Sequence, residues 1–310
     1  MQIRRDAVEI VIQTPAKLNL FFEVLGKRSD GYHEIETLMC PIGWYDTLCF
    51  GATSSEELDL ECHQGSAAGY PRPASGCPGG GSGFEEVPRD GRNLVLRAVD
   101  LVRRRTGTKQ GARLRLIKRI PTAAGLGGGS SDAAAALVAA NLGWKLGLSL
   151  TELAAMAAEL GSDVPFFLYR GAAVCRGRGE RIEPTRGLGL MNFVVVRPPE
   201  GLATAAVYGA CRPAASPRAL QPLLDALRRG NARRVGGLLF NRLQAAAEQL
   251  SPWIARLRRL MAGEDCLGHG MSGSGTAYFG LFHSALQARR VARRLLARGV
   301  GCVVAVRSCG

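Results

Sequence analysis

The sequence predicts an α+β protein. Strand-like and helix-like stretches are mixed along the chain without a regular βαβ alternation, which argues against a doubly wound or barrel fold. The chain is 310 residues long, which fits two domains better than one or three. A strand pattern also runs through a glycine-rich segment straight into a helix pattern, in "ARLRLIKRIPTAAGLGGGSSDAAAAL". The bulk numbers agree with a globular chain: 46% of residues are apolar and 21% are charged.

Taken in order, residues 8–25 are apolar and alternating, predicting one or two strands broken at Pro15. Asp30-Gly31 in "GKRSDGYHE" predicts a tight turn. Strand character resumes over 35–52, with Tyr45-Asp46 as an expected turn. Residues 65–92 are rich in glycine and proline with almost no periodic apolar residues, predicting a long, mobile surface loop. "NLVLRAVDLVRRRTG" reads as a helix that gathers Leu94, Ala98, Leu101 and Val102 on one face and stops at Gly107. A strand over 112–120 ends at Pro121. A helix is then expected from Ser131 to Leu146, capped by Ser130 or Ser131, with Leu137, Asn141 and Trp144 at helical spacing.

Ser149 and Glu152 form a capping-box pattern before a helix that ends at Gly161. Residues 171–185 predict a hairpin turning at "GRG", and "MNFVVVRPP" predicts a buried strand. Long helices are expected over 218–228, 231–248, 251–262 and 284–298, with a final strand in "CVVAV". The shift in composition at 185–189 marks the expected boundary between a domain of residues 1–186 and one of 187–310.

No run approaches the ~18–20 apolar residues that a bilayer requires. "AVEIVI", after Arg4 and Arg5, is short and carries Glu9, so it reads as a strand rather than a signal-peptide core. A cytoplasmic protein is expected, with no membrane partner. Nine cysteines, no C-x-x-C and four scattered histidines suit reduced thiols better than a disulfide framework or a zinc site. The net charge of +14 favours anionic partners, either nucleic acid or small phosphates. Much of it lies in runs such as "ARRVARRLLAR", which a solvated arginine-rich helix face explains better than an anionic partner does.

The glycine run decides more. Ordering glycine costs about 0.5–1 kcal/mol relative to alanine, so four of them within 125–129 need a reason. A strand, a glycine turn and a helix start together aim backbone N–H groups at an anion, and the helix adds roughly half a positive charge. The run lacks the G-K-[ST] ending of a Walker A loop, and it fits G-x-G-x-x-G only loosely. It therefore marks a phosphate site of another kind. A second cluster, "GMSGSGTAYFG" at 270–280, allows close approach to a ligand or to the first loop, and a plain tight turn is its alternative.

At this point the chain resembles the GHMP kinases, the superfamily of galactokinase, homoserine kinase, mevalonate kinase and phosphomevalonate kinase. "PTAAGLGGGSSDAAAAL" resembles their central ATP motif and "MSGSGTAYFG" their third. "TPAKLNLFFEVLGKRSDGYHEIETLM" and "LGSDVPFFLYRGAAVCRGRGERIEP" resemble the branch whose acceptor is 4-diphosphocytidyl-2-C-methyl-D-erythritol, in the non-mevalonate route to isoprenoids. The four blocks stand in family order and span nearly the whole chain.

The resemblance implies a two-domain GHMP fold. An N-terminal domain like ribosomal protein S5 domain 2 would bind ATP, and a ferredoxin-like α/β sandwich would follow it, with ATP and acceptor meeting in the cleft between them. It implies transfer of the γ-phosphate of ATP to the 2-hydroxyl of the cytidylated acceptor. Lys17 and Asp163 would flank that hydroxyl as catalytic residues; taken without the resemblance, they read as a strand lysine and a cap of the segment at Pro165. Asn19, on the same strand face as Lys17, would lie beside the acceptor. Tyr32, His33, Thr204 and Tyr208 would hold the cytidine.

Pro121, Thr122, Ala123, Ala124, Gly125, Leu126, Gly127, Gly128, Gly129, Ser130 and Ser131 would hold the ATP phosphates, with Asn93 and Lys118 also touching the nucleotide. Mg²⁺ is expected on those phosphates, with Ser131 offering a hydroxyl ligand. A monomer or homodimer is expected. Two alternatives stand beside this reading: a GHMP kinase for another small alcohol (homoserine or mevalonate), and a basic nucleic-acid-binding protein on the same fold. The 65–92 segment is longer than the family pattern leads one to expect.

Overall fold

The computed structural model describes residues 1–6, 9–65, 87–185 and 189–309. Most of the expected 65–92 loop and residues 186–188 of the expected boundary lie outside the described residues. In chain order the first elements are β1 (Gln2–Arg5), β2 (Ile10–Lys27), β3 (His33–Thr53), β4 (Leu58–Gln64), α1 (Leu94–Thr106), β5 (Gly111–Lys118), α2 (Gly128–Gly143) and α3 (Leu150–Leu160). A 3-10 turn at Pro165–Leu168 follows α3. Next come β6 (Ala173–Gly177), β7 (Arg181–Pro184), β8 (Asn192–Arg197), α4 (Thr204–Ala210), α5 (Gln221–Arg228), α6 (Ala232–Leu238) and β9 (Phe240–Asn241). The last are α7 (Gln244–Leu250), α8 (Pro252–Ala262), β10 (Gly268–Met271), β11 (Tyr278–Phe282), α9 (Ala285–Ala297) and β12 (Cys302–Arg307).

The chain divides into two compact units, neither contiguous in sequence. One contains residues 1–16, 44–122 and 127–170; the other contains 17–43, 123–126 and 171–310. The long strands β2 and β3 each begin in one unit and end in the other.

In the first unit, β1 pairs antiparallel with β2 over Ile10–Gln13. The last part of β3 pairs antiparallel with β5, and β4 lies parallel to β5 on its other side. Helices α1, α2 and α3 pack on one another. Alanines dominate α2, and Ala133–Leu137 are all buried, the mark of a helix enclosed on every side. Small side chains let its neighbours come close. At its end, a Cβ on Gly143 would lie 2.4 Å from the Phe50 ring, which packs edge-on against Trp144 with ring centres 5.5 Å apart. Asn93 caps α1 by accepting from the Val95 N–H at 2.9 Å, and Gly107 ends the helix at φ +71°. Ser149 and Glu152 make the expected capping box on α3.

In the second unit, β10-β11-β8-β12 form an antiparallel sheet. Its core gathers Val194, Val196, Tyr278 and Phe282 from the strands with Leu257, Val291 and Leu295 from helices α8 and α9. β6 pairs with Ile35–Met39 of β3 and with β7, making the expected hairpin. The Glu23 carboxylate is fully buried here. It accepts a two-pronged pair from Arg242 (2.7 and 2.8 Å), with further bonds from the Val24 and Arg218 N–H groups. Burial opposes its charge, but these donors outweigh it and hold its pKa below the ordinary value.

Four expectations are corrected. β2 runs unbroken through Pro15: β1 pairs only as far as Gln13, so no N–H is demanded of Pro15 on that side. Tyr45-Asp46 is not a turn but the interior of β3. Asp46 spends its carboxylate on the distant Arg119 and Ile120 amides rather than on a local bond. Ser130 and Ser131 do not cap α2, which starts at Gly128 after an N-cap Gly127 that offers no side chain, and ends at Gly143 rather than Leu146. The helix expected over 231–248 is interrupted: Phe240–Asn241 leave it to pair with Phe21–Phe22. Inside α6, Gly236 lets the chain at Leu267 come close, since a Cβ there would lie 2.0 Å from the Leu267 carbonyl oxygen.

Among the described residues, no helix is long and apolar enough to cross a membrane. All the described cysteines are free thiols.

Candidate active site

The glycine loop starts where β5 ends. Asp46 Oδ1 accepts from the Arg119 and Ile120 N–H groups, the latter at 2.9 Å, and so fixes the chain as it enters Pro121. Three residues then take positive φ: Ala123 (+49°), Gly125 (+72°) and Gly127 (+69°). For the two glycines this costs little; for Ala123 it is a strained conformation of the kind found at functional turns.

Gly127 opens α2 without a side chain to cap it, so the amides of the first turn have no intrahelical acceptor and no cap. Here the positive end of a 16-residue dipole is left open. Ser131 has another task. Its hydroxyl is wholly buried, donates to the Pro15 carbonyl at 2.6 Å and contacts the Thr14 hydroxyl, tying α2 to β2.

Ala123–Leu126 are held by main-chain contacts. The Ala277 N–H donates to the Ala124 carbonyl and the Lys17 N–H to the Leu126 carbonyl, both at 2.9 Å. The Ser272 hydroxyl donates to the Gly125 carbonyl at 2.9 Å. The approach is so close that a Cβ on Gly125 would lie 2.2 Å from the Ser272 carbonyl oxygen. The expectation that the second glycine cluster meets the first loop is thus met by the backbone itself. Asn241 braces the second cluster by donating to the Met271 and Gly273 carbonyls at 2.8 and 2.7 Å.

Lys17 and Asn19 sit on this contact. Both are buried and point from the same face of β2, where the Lys17 ammonium donates to Asn19 Oδ1 at 2.6 Å. Asn19 Nδ2 donates to the Thr37 hydroxyl at 2.8 Å, and the Asn19 N–H reaches the Ser272 hydroxyl at 3.2 Å. A Cβ on Gly273 would lie 3.4 Å from Lys17 Nζ and 3.3 Å from Asn19 Oδ1. An ammonium, a carboxamide and a glycine-rich turn therefore share one small space. Asp163 stands half-buried in the turn between α3 and the 3-10 turn at Pro165.

The residues expected at a base form a second group. The His33 and Tyr208 rings lie 5.0 Å apart with their planes tilted by 30°. Burial, with Lys27 nearby, lowers the His33 pKa, so the ring is neutral at neutral pH and offers one donor and one acceptor. Tyr32 is 53% exposed, with the Arg178 guanidinium 4.9 Å above its ring. Thr204 opens α4, and its hydroxyl lies 3.0 Å from that of Ser274 in the second glycine cluster.

Asn93 is engaged as the α1 cap and also donates to the Pro88 carbonyl at 2.6 Å. Lys118 is buried, and its ammonium donates to both Asp46 and Asp132, the latter at 2.6 Å. Asp46, Asp132, Ser272, Thr37 and Asn241 were not singled out from the sequence. Asp132, directly after "GGGSS", and Ser272, inside the second glycine cluster, carried a positional signal; Asp46 read as a turn residue carried none.

Among the described residues, no cluster of three or more His, Cys, Asp or Glu side chains could cage a metal ion. The donor set fits a Mg²⁺ carried on nucleotide phosphates, where phosphate oxygens and water supply most of the ligands.

Comparison with known proteins gives the class. Residues 93–171 match the GHMP kinases N terminal domain and residues 223–301 match the GHMP kinases C terminal domain. The fold is the mixed α+β fold of that superfamily. A 4-diphosphocytidyl-2-C-methyl-D-erythritol kinase of Pelotomaculum thermopropionicum is 41% identical over 281 residues, covering 90% of this chain and 91% of the relative. One from Bacillus cytotoxicus is 35% identical over 290 residues, covering 92% of each chain. A crystal structure of 4-(cytidine 5'-diphospho)-2C-methyl-D-erythritol kinase superposes with a TM-score of 0.76 at 36% identity, covering 97% of this chain and 99% of the other. The chain belongs to the 4-diphosphocytidyl-2-C-methyl-D-erythritol kinase family of the GHMP kinases.

Gly125→Ala tests the loop contact. The added methyl meets a carbonyl oxygen in a backbone conformation that L side chains avoid, so a loss of about 2–4 kcal/mol is expected in denaturant unfolding. An unfolding midpoint equal to that of wild type contradicts it.

Proposed function

We propose that the protein transfers the γ-phosphoryl group of ATP to the 2-hydroxyl of 4-diphosphocytidyl-2-C-methyl-D-erythritol, giving ADP and the 2-phosphate. Membership of the family supports the reaction. The observation that carries it to residues is the meeting of Lys17, Asn19 and Gly273 beside the glycine loop. Phosphoryl transfer needs positioning and charge neutralisation more than covalent chemistry from the protein.

In this reading the uncapped amides at 127–130 and the turn at Pro121–Leu126 bind the triphosphate. When bound with the nucleotide, Mg²⁺ would supply charge neutralisation of the phosphates. The acceptor oxygen attacks the γ-phosphorus and the β–γ bridging oxygen leaves with ADP. The Lys17 ammonium stabilises the charge that develops on the transferring group, and Asn19 fixes the direction of that ammonium. Asp163 orients the acceptor hydroxyl and receives its proton. An aspartate carboxylate is a weak base for an alcohol, so the proton moves late and orientation carries most of the effect.

Recognition of the acceptor rests on His33 and Tyr208. A flat pair 5.0 Å apart, one member neutral with both a donor and an acceptor, suits a pyrimidine base bearing an amino group and a carbonyl. Homoserine and mevalonate have no flat base to offer such a pair. Solved homoserine and mevalonate kinases share this fold at 17% identity, with TM-scores of 0.72 and 0.71, and that likeness speaks for the fold alone.

Two measurements follow. Steady-state assays with ATP should show turnover of the cytidylated acceptor and not of homoserine or mevalonate, and Asp163→Asn should lower kcat by about 10²-fold or more. Turnover of homoserine alone overturns the acceptor, and full activity in Asp163→Asn overturns the role of that carboxylate. KM for the acceptor should stay flat from pH 8 to pH 6.5 and rise only below it, as protonation of His33 removes its acceptor nitrogen. A His33→Gln variant should lose that rise; a rise shared by both proteins contradicts the role of His33.

A further inference from the structure

The phosphoryl transfer proposed for this site gives no task to Glu23, a carboxylate with no exposed surface. We propose that Glu23 is a positioning residue for that transfer. By clamping Arg242 it fixes strand β9, and β9 carries Asn241, whose carboxamide sets the Gly273 turn against the Lys17 ammonium. The inference rests on the assignment of Lys17 to the transferring phosphate.

Separate stretches of chain converge on the carboxylate. Arg242 Nε and Nη2 donate to its two oxygens at 2.7 and 2.8 Å, and the Arg218 N–H adds a bond at 2.8 Å. The guanidinium carbons of Arg218 and Arg242 lie 4.3 and 4.9 Å from the centre of the Phe240 ring. That ring also packs on Phe21, with centres 5.8 Å apart. The Arg242 N–H donates to the Phe22 carbonyl at 2.8 Å, which fixes the register of β9 on β2. Both neighbours of Asn241 are thereby held in place, Phe240 by its ring contacts and Arg242 by the carboxylate.

Asn241 passes that constraint on. Its Oδ1 accepts from the Leu243 N–H at 2.9 Å, and its Nδ2 donates to the Met271 and Gly273 carbonyls at 2.8 and 2.7 Å. Both protons of the amide are engaged, so its orientation is fixed. Gly273 stands at φ +57°, and a Cβ there would lie 3.4 Å from Lys17 Nζ and 3.3 Å from Asn19 Oδ1. The adjoining Ser272 hydroxyl accepts from the Asn19 N–H and donates to the Gly125 carbonyl. A small shift of this turn therefore reaches the Lys17–Asn19 pair directly and the Gly125 turn through Ser272.

Energetics favour a geometric task for the ion pair. A buried pair seldom stabilises more than apolar side chains of equal volume, whereas its directed bonds fix where each partner stands. Burial opposes the Glu23 charge, but the Arg242, Arg218 and Val24 donors outweigh it and lower its pKa, so Glu23→Gln removes a charge while keeping the volume. Placement is what phosphoryl transfer requires, and a misplacement of ~1 Å can cost on the order of 100-fold in rate. Binding rests on other groups, the amides at 127–130 for the nucleotide and His33 with Tyr208 for the acceptor.

Steady-state assays of Glu23→Gln and Asn241→Ala test this path, with kcat counted per MgATP site titrated by calorimetry so that unfolded protein cannot imitate a loss. In each variant kcat should fall by about tenfold or more, while KM for the acceptor and Kd for MgATP stay within about twofold of wild type. The double variant should lose no more than about twofold beyond the worse single variant, because both act through one path. Losses that multiply, or a wild-type kcat in either single variant, overturn the proposal. Arg242→Lys keeps the charge but not the two-pronged fork, so it should show the same fall in kcat, and an unchanged kcat there also overturns it.

Hydrogen exchange on the ligand-free protein is the second arm. The Ser272 and Gly275 amides are bonded within the turn, to the Ala277 and Ser272 carbonyls at 2.9 and 3.1 Å. Their exchange should quicken by about tenfold or more in Glu23→Gln and in Asn241→Ala, while β11 keeps its wild-type rates. An unchanged turn, or a rise shared by β11, overturns the proposal. If wild type turns over no cytidylated acceptor, the reading of the active site fails, and the exchange still decides whether Glu23 holds the turn.

Discussion

The site depends on one backbone contact, the approach of Gly125 to the Ser272 carbonyl. No side chain fits there: a Cβ on Gly125 would sit 2.2 Å from that oxygen. The same approach lets the Ser272 hydroxyl close on the Gly125 carbonyl and leaves Gly273 within reach of Lys17 and Asn19. The glycines are therefore used in two ways. Gly125 and Gly273 leave room for close approach, the first of the Ser272 main chain and the second of the Lys17 and Asn19 side chains, and Gly127 leaves the start of α2 uncapped. The entropy lost in ordering them is offset by a rigid turn that leads into a helix start with no side-chain cap. A preorganised donor set of that kind favours anion binding because little has to be ordered when the ligand arrives.

Charge inside the protein is organised around the same turn. The +14 net charge belongs largely to exposed arginines, many of them on α8 and α9. Among the described residues, two sets of buried charges are paired in this way: Glu23 with Arg242, and Lys118 with Asp46 and Asp132. Buried pairs of this type seldom add stability over an apolar core of equal volume, yet removing one partner is costly, so they fix geometry more than they stabilise. Asp46 serves geometry directly, since its second oxygen binds the two amides that lead into the loop. The basic surface is thus separate from the charges that shape the turn.

How much of this could be read from sequence follows from the range of the interactions. The α1 stop at Gly107, the α3 capping box and the hairpin at 173–184 are set by residues within a few positions of one another, and these were legible. Pro15 misled because a strand break depends on whether a neighbour needs its N–H, and β1 stops short of it. Tyr45-Asp46 misled for a related reason: an aspartate in a strand reads as a turn unless its distant partners at 118–120 are known. Ser131 resembled a helix cap, but the helix starts earlier and its hydroxyl reaches Pro15, 116 positions away. The exit of Phe240–Asn241 from a helical pattern likewise answers to β2 rather than to local propensity. Lys17, Asn19, His33 and Tyr208 became candidates only through motif resemblance, because periodicity alone does not single out one strand lysine from another.

The central claim is that free amides at the start of α2 grip a triphosphate while Lys17 meets its last phosphate. A crystal structure with a non-hydrolysable ATP analogue and the cytidylated acceptor tests it most directly. The account predicts terminal phosphate oxygens within about 3.2 Å of amides in the 127–130 stretch and within about 4 Å of Lys17 Nζ, with the acceptor 2-hydroxyl in line. A triphosphate seated away from those amides, or a Lys17 ammonium turned from the terminal phosphate in the ternary complex, contradicts it.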